Sequence, residues 1–136
     1  WLRHCPGPCW YPSVAALLAA PLTLGVRPFM PHQLAGLANN TKWCELQALM
    51  SAQGNRAPYW RTKDTNGFVY PGSGWDGDWT YHFRTGEYKF IECCEVTPRD
   101  ATGAMTLAEI QAACTRIGFE YETTDCAIRI IGYRRV

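Results

Sequence analysis

The sequence predicts an α+β fold: a mainly antiparallel sheet of about five to six strands with two helices packed on one face. Three observations predict it. Two segments carry apolar residues at helical spacing, several short segments have the composition and alternation of strands, and Gly-, Asn- or Pro-containing turns separate them. The predicted order is one helix, three or four strands, a second helix and two strands, and strands joined by tight turns run antiparallel.

The first helix is predicted to begin at Asn40 or Thr41, because a short oxygen-bearing side chain can accept hydrogen bonds from the free amides of a first turn. An apolar stripe follows at helical spacing, formed by Trp43, Leu46, Leu49 and Met50. The pair Gly54-Asn55 is expected to end this helix.

The second helix has clearer signals at both ends. Thr106 and Glu109 form a capping box, in which each residue satisfies an amide near the other. Gly118 supplies the left-handed residue that ends many helices. The apolar stripe between them consists of Leu107, Ile110, Cys114 and Ile117.

Six segments are predicted to be strands: Ala57–Asp64, Gly67–Tyr70, Asp78–Arg84, Glu87–Val96, Phe119–Glu122 and Ala127–Tyr133. Asn66-Gly67 predicts a hairpin between the first two. Alternation along Asp78–Arg84 predicts two faces. The core face would carry Trp79, Tyr81 and Phe83, and the polar face Asp78, Thr80, His82 and Arg84.

Residues 1–37 are predicted to form a Pro-rich N-terminal extension, and residues 38–136 a single domain. The extension holds six of the nine prolines and no acidic residue. Its apolar run, Val14–Val26, is interrupted by Pro21 and is shorter than the roughly 20 residues that span a bilayer. We therefore expect no membrane segment here.

Charge and cysteine content limit the possible partners. The formal net charge is +1, with 13 Lys and Arg against 12 Asp and Glu, which gives no basic footprint for nucleic acid or an anionic membrane. The seven cysteines are odd in number, so they cannot all form disulfides. We expect most of them to be reduced core residues of a cytoplasmic protein.

Several segments resemble a family of small bacterial proteins of unknown function. They are N-N-T-K-W (Asn39–Trp43), W-R-T-K-D (Trp60–Asp64), W-D-G-D-W-T-Y-H-F (Trp75–Phe83) and I-R-I-I-G-Y (Ile128–Tyr133). The resemblance covers residues 39–133. The chain departs from the family pattern at Cys93-Cys94, where the pattern favours a Trp-containing pair. The resemblance implies no activity, although small proteins of this sort are often toxin-neutralising or other interaction proteins.

The main functional prediction is a binding surface for another protein, without a cofactor and without catalysis. Aromatic residues and Arg dominate binding hot spots because they bury a large area at low entropic cost. The predicted surface consists of Trp60, Trp75, Asp76, Asp78, Tyr81, His82 and Arg84.

The alternative prediction is a papain-like thiol hydrolase. Cys9 precedes Trp10 at the start of an apolar segment, and a helix N-terminus there would lower the pKa of its thiol. His82 would deprotonate Cys9, with Asp100 or Asp125 orienting the imidazole.

Two further segments are interpreted as non-functional. His4, Cys5 and Cys9 are soft metal ligands, but a structural zinc site needs four and no C-x-x-C pair follows, so we expect no metal. Pro71–Gly77 is Gly-rich but lacks the lysine of a phosphate-binding loop and carries Asp76. We interpret it as a connecting loop that presents Trp75.

Overall fold

The computed structural model describes residues 33–84 and 87–136. The helices of this part are α1 (Asn40–Ala52) and α2 (Leu107–Ile117). The strands are β1 (Leu34–Gly36), β2 (Tyr59–Asp64), β3 (Val69–Tyr70), β4 (Ile91–Thr97), β5 (Tyr121–Thr123), β6 (Ile128–Ile131) and β7 (Tyr133–Arg135). Single 3-10 turns cover Gly54–Arg56 and Tyr88–Phe90.

Two antiparallel sheets organise these strands. The larger sheet has the order β3-β2-β4-β6-β5, and the smaller one pairs β1 with β7. The predicted α+β fold with a mainly antiparallel sheet is therefore confirmed. Strand β1 lies before residue 38, where the sequence predicted the domain to begin, and it pairs Leu34 with Arg135.

Both helices are capped as their sequences require. Asn39, one residue before the predicted cap, accepts a hydrogen bond of 3.0 Å from the amide of Lys42. Thr106 accepts one of 3.2 Å from the amide of Glu109, and Gly118 has a φ of +94°, as predicted. Each helix buries its apolar stripe against the same face of the larger sheet.

The core between the helices and the sheet is rich in aromatic rings. Trp79 and Phe83 have ring centroids 4.7 Å apart, and Trp60 meets Phe83 edge-on at 5.0 Å. Such rings bury about 150–250 Å² each, and their tilted contacts add stability beyond that burial. The sheet contributes Trp60, Thr62, Cys94, Val96, Ile128 and Ile130 to this face.

The opposite face of the sheet carries a row of alternating charges across four strands. Arg61 lies opposite Glu95, Glu95 opposite Arg129, and Arg129 opposite Glu122. The Glu95 carboxylate binds Arg61 at 2.7 Å and Arg129 at 3.2 Å. Because Glu95 is 4% exposed, its two cationic partners offset the cost of removing it from water.

The predicted strand at Asp78–Arg84 is wrong. Residues 79–82 form turns, and Tyr81 is 86% exposed although Trp79 and Phe83 are buried. The reason lies in Asp78, whose carboxylate accepts hydrogen bonds from the amides of Thr80 (2.8 Å) and Tyr81 (2.9 Å). Aspartate side chains compete in this way with strand pairing.

Two other predicted strands have different limits. The strand expected at Glu87–Val96 begins only at Ile91, and the strand expected at Ala127–Tyr133 is divided into β6 and β7. At the division, the Gly132 amide donates a 2.8 Å hydrogen bond to the Glu92 carbonyl. A Cβ on Gly132 would lie 2.2 Å from the Ile91 carbonyl oxygen, so only glycine fits between the two sheets.

The cysteines of the described residues are all free thiols, as the sequence analysis expected for most of the seven. Cys93, Cys94 and Cys114 are buried, Cys126 is half-buried and Cys44 is exposed. None of the described helices is long and apolar enough to cross a membrane. The predictions for His4, Cys5, Cys9 and Val14–Val26 lie outside the described residues.

We predict that Gly132→Ala lowers the free energy of unfolding by about 3 kcal/mol or more, because backbone must move to admit the methyl group. Urea unfolding of the full chain, followed by tryptophan fluorescence, measures this change. Gly72→Ala is the control, since its Cβ would meet nothing within 4 Å, and it should change stability by less than about 0.5 kcal/mol. Equal effects of the two substitutions would contradict the close approach at Gly132.

Candidate functional site

The candidate site is the loop of residues 71–83, which we call the Asp76 loop. It follows β3 and returns along the edge of the larger sheet. Trp60 and Asp76 exchange two backbone hydrogen bonds, of 2.8 and 3.0 Å, which continue the sheet by one residue. The loop is thus anchored in the sheet at its middle and free to turn outward on both sides of that residue.

The Asp76 carboxylate holds the loop together. Its Oδ2 accepts hydrogen bonds from the Tyr70 hydroxyl and from His82 Nδ1, both at 2.8 Å. Its Oδ1 accepts a third, also 2.8 Å, from the Asp78 amide. Since an ionised carboxylate can only accept, the proton of a neutral His82 must lie on Nδ1. The Asp76 side chain is 12% exposed, so these bonds are partly shielded from water.

Three further hydrogen bonds fix the underside of the loop to the core. The indole of Trp79 donates to the Pro58 carbonyl at 2.8 Å, and that of Trp60 donates to the Asp78 carbonyl at 3.0 Å. From α1, the Gln47 amide donates to the Trp79 carbonyl at 3.0 Å. The two tryptophans therefore act both as buried apolar rings and as polar anchors.

Hydrogen bonding sets the ionisation of both loop carboxylates. Burial alone would raise the pKa of Asp76, but hydrogen bonds from the Asp78 amide, Tyr70 and His82 outweigh it and lower that pKa. The Tyr81 amide is the main cause of the lowered pKa of Asp78. Conversely, donation to Asp76 raises the pKa of Tyr70. Both carboxylates are consequently ionised at neutral pH.

Of the seven residues predicted to form a binding surface, Trp60, Trp75 and Arg84 lie inside the structure or are turned toward the sheet. Trp60 is 1% exposed and supports the loop from beneath. Trp75 is half-buried, with the Arg61 guanidinium 3.9 Å from its ring centroid. Arg84 turns toward β2 and binds Asp64 at 2.8 Å.

Of the remaining four, Asp78, Tyr81 and His82 lie on the outer side of the loop. Tyr81 is 86% exposed, and the His82 side chain is 56% exposed. The Asp78 side chain is about one-third exposed, with its Oδ2 3.8 Å from His82 Nε2. Asp76 lies below them and positions His82. The loop therefore presents one large aromatic ring beside one imidazole.

Of the two residues that the thiol hydrolase prediction names, only His82 lies among the described residues. Cys9 lies outside them. Asp76, and not Asp100 or Asp125, orients His82. Burial raises the pKa of Cys93 and of Cys114 to about 12, so neither forms a thiolate at neutral pH.

The described part of the chain also lacks a cluster of metal ligands. Within residues 33–84 and 87–136 no group of three or more His, Cys, Asp or Glu side chains could hold a metal ion. The Gly-rich segment Pro71–Gly77 is a loop, as interpreted from the sequence, but it packs Trp75 under Arg61. Its acidic residue serves the internal hydrogen bonds of the loop.

Sequence reasoning missed three residues that shape the site. Tyr70 and Gln47 hold the loop through the bonds given above. Arg99 donates to the Ala57 carbonyl at 2.9 Å and to the Gly77 carbonyl at 3.0 Å, which joins the loop to the start of β2. Only Gln47 had a local signal, since it is a polar residue that borders the apolar stripe of α1.

Comparison with known proteins gives a family but no activity. A family model described as a family of unknown function (DUF6678) matches residues 28–136, and the chain belongs to that family. No curated protein matches the chain. No solved structure matches it either. The expectation of a family of unknown function is confirmed, while its quoted motifs and bacterial origin stay predictions.

We predict that Asp76→Asn lowers the free energy of unfolding at pH 7 by about 1–3 kcal/mol, because the amide cannot accept all three hydrogen bonds. The folded pKa of Asp76 lies below its ordinary value of 3.8, so the stabilisation is complete above about pH 5 and is lost as pH falls through the folded pKa. Urea unfolding at pH 7 and at pH 3 measures both effects, and the difference between wild type and variant should shrink at pH 3.

The matched control is Asp100→Asn, which changes an exposed aspartate of the connection between β4 and α2, residues 98–106. It should alter stability by less than about 0.5 kcal/mol at either pH. A loss at Asp76→Asn that stays constant between pH 7 and pH 3 would contradict the role given to its charge.

Proposed function

We propose that this member of a family of unknown function is a protein-binding module and that the outer side of the Asp76 loop contacts the partner. One observation carries the proposal: Tyr81 is 86% exposed on a loop whose backbone is held by hydrogen bonds from Asp76 and Asp78. An exposed ring contributes little to the core, and tyrosine is enriched in binding hot spots.

The rigidity of the loop supports binding in a second way. A flexible loop loses conformational entropy when a partner orders it, and that loss weakens the complex. In the Asp76 loop much of this ordering is already present. Both carboxylates accept loop amides, the Trp60 indole donates to the Asp78 carbonyl, and the Trp79 indole fixes the loop to the Pro58 carbonyl. Tyr81 can therefore bury its ring with little further entropic cost.

Polar groups beside the Tyr81 ring can make directional hydrogen bonds to the partner. His82 is held by Asp76 through Nδ1, so Nε2 is the nitrogen that faces outward, near Asp78. A partner donor can bind this nitrogen or the Asp78 carboxylate. Such charged and polar groups at the edge of an interface contribute more to specificity and association rate than to affinity.

The specific form of this function that we propose is neutralisation of a toxin in a bacterial cytoplasm. The support is the resemblance to small bacterial interaction proteins and the free thiols at Cys44, Cys93, Cys94, Cys114 and Cys126, which suit a reducing compartment. In this form the Asp76 loop would cover a functional surface of the toxin.

We predict that Tyr81→Ala abolishes capture of the partner while leaving the fold intact. The matched control is Phe68→Ala, which removes another exposed ring, 56% accessible, from the β2–β3 hairpin. The measurement is affinity capture from the source cells with the full chain as bait, followed by titration calorimetry with the purified partner. Tyr81→Ala should weaken binding at least about tenfold, a typical hot-spot loss of 1.4 kcal/mol or more.

Equal weakening by Tyr81→Ala and Phe68→Ala would contradict the assignment of the surface. A partner that binds all three proteins equally would contradict it as well. For the neutralisation form, the partner gene is expressed alone and together with this chain. We expect the partner alone to arrest growth and this chain to relieve the arrest. The Tyr81→Ala variant should not relieve it.

A further inference from the structure

A polar cavity of about 290 Å³ lies beside the Asp76 loop, between α1 and Arg99. The end of α1 and the 3-10 turn contribute one wall, through Met50, Ser51, Gly54 and Asn55. The loop contributes the other, through Gly77, Asp78, Trp79 and Thr80. Thr80 of this wall precedes Tyr81, the central residue of the surface proposed for the partner.

The cavity has several hydrogen-bond donors that the fold does not use. The Arg99 guanidinium donates through Nε and Nη2, which leaves Nη1 without a partner among the described residues. The side chains of Ser51, Asn55 and Thr80 make no hydrogen bonds within residues 33–84 and 87–136. An Arg with a hydroxyl and an amide near it is the donor set that recognises carboxylates.

The glycine at position 77 keeps Arg99 in this place. A Cβ there would lie 2.7 Å from Arg99 Nη2 and 3.2 Å from its Cζ, so any other residue would displace the guanidinium. The guanidinium also stacks on Tyr59, at 4.7 Å from the ring centroid. Arg99 is thus held flat, with one edge bound to backbone carbonyls.

The one acidic residue of the cavity wall is already engaged elsewhere. Asp78 Oδ1 accepts the amides of Thr80 and Tyr81, and Oδ2 lies 3.8 Å from His82 Nε2. Its Oδ1 is therefore occupied by the loop backbone, while the carboxylate keeps its negative charge. Among the described residues, Arg99 is the only cationic one in the wall.

We propose that this cavity is a carboxylate-binding site and that it receives an acidic side chain of the protein partner. The choice of a partner side chain rests on the proposed function, because Thr80 of the cavity wall precedes Tyr81. The carboxylate chemistry does not rest on it, since Arg99, Ser51, Asn55 and Thr80 are present in the isolated chain. The two parts can be tested separately.

The first experiment titrates the isotope-labelled full chain with sodium acetate and follows amide and Arg Nε signals by NMR, with sodium chloride at equal ionic strength as the salt control. Saturable shifts at Ser51, Asn55, Thr80 and Arg99 are expected with acetate alone. Gly77→Ala should weaken acetate binding about tenfold, as expected for the loss of a charge-assisted hydrogen bond. Arg99→Lys keeps the positive charge but removes the paired N–H donors of the guanidinium, so it should weaken acetate binding to a similar extent.

Arg116→Lys is the matched control, because it makes the same change at an exposed arginine of α2 and should leave the acetate shifts intact. Shifts that do not saturate, or that are equal in wild type and in Arg99→Lys, would overturn the site. If either Gly77→Ala or Arg99→Lys fails to fold, the other variant still tests the site.

The second experiment tests whether the carboxylate comes from the protein partner. It uses the partner identified in the capture experiment that compares wild type with Tyr81→Ala. Acetate should compete with the partner for the wild-type chain and should have no effect on its residual binding to Arg99→Lys. If acetate does not change partner binding, the proposal that the partner supplies the carboxylate is overturned. The cavity would then be a site for a small free carboxylate. Failure of the acetate titration leaves the Tyr81 test standing, so the two proposals fail independently.

Discussion

The Asp76 carboxylate is the interaction on which the candidate site depends. It joins three positions: Tyr70 at the end of β3, Asp78 two residues after Asp76, and His82 near the end of the loop. A buried or half-buried charge is stable only when its hydrogen bonds are satisfied, and here both oxygens are occupied. The conformation of the loop and the ionisation of Asp76 therefore require each other.

The same segment supplies both the core and the surface. Trp79 and Phe83 point inward to the aromatic cluster, whereas Tyr81 between them points outward. This arrangement is possible because the backbone turns there instead of extending. The position of Tyr81 is consequently determined by the packing of its neighbours, and the cavity next to Thr80 is bounded by the same turns and by Arg99.

Local signals in the sequence were sufficient for most of the fold and for part of the site. Both helices followed from their apolar stripes and from the Thr106 cap, and the β2–β3 hairpin followed from Asn66-Gly67. Alternation alone misassigned Asp78–Arg84, since polarity patterns do not reveal that Asp78 bonds to backbone amides. The contacts made by Gln47 and Arg99 could not be predicted either, because they join residues more than 20 positions apart.

The row of charges across the sheet has a consequence for how this protein can change over time. Glu95 lies between Arg61 and Arg129, and Arg129 also lies beside Glu122. Glu95 matters most in this row, because its carboxylate binds both Arg61 and Arg129 at a site withdrawn from water. Removing one side of a buried ion pair costs more than replacing the whole pair by apolar residues. A tolerated replacement of Glu95 on β4 is therefore expected to require replacements of Arg61 on β2 and Arg129 on β6.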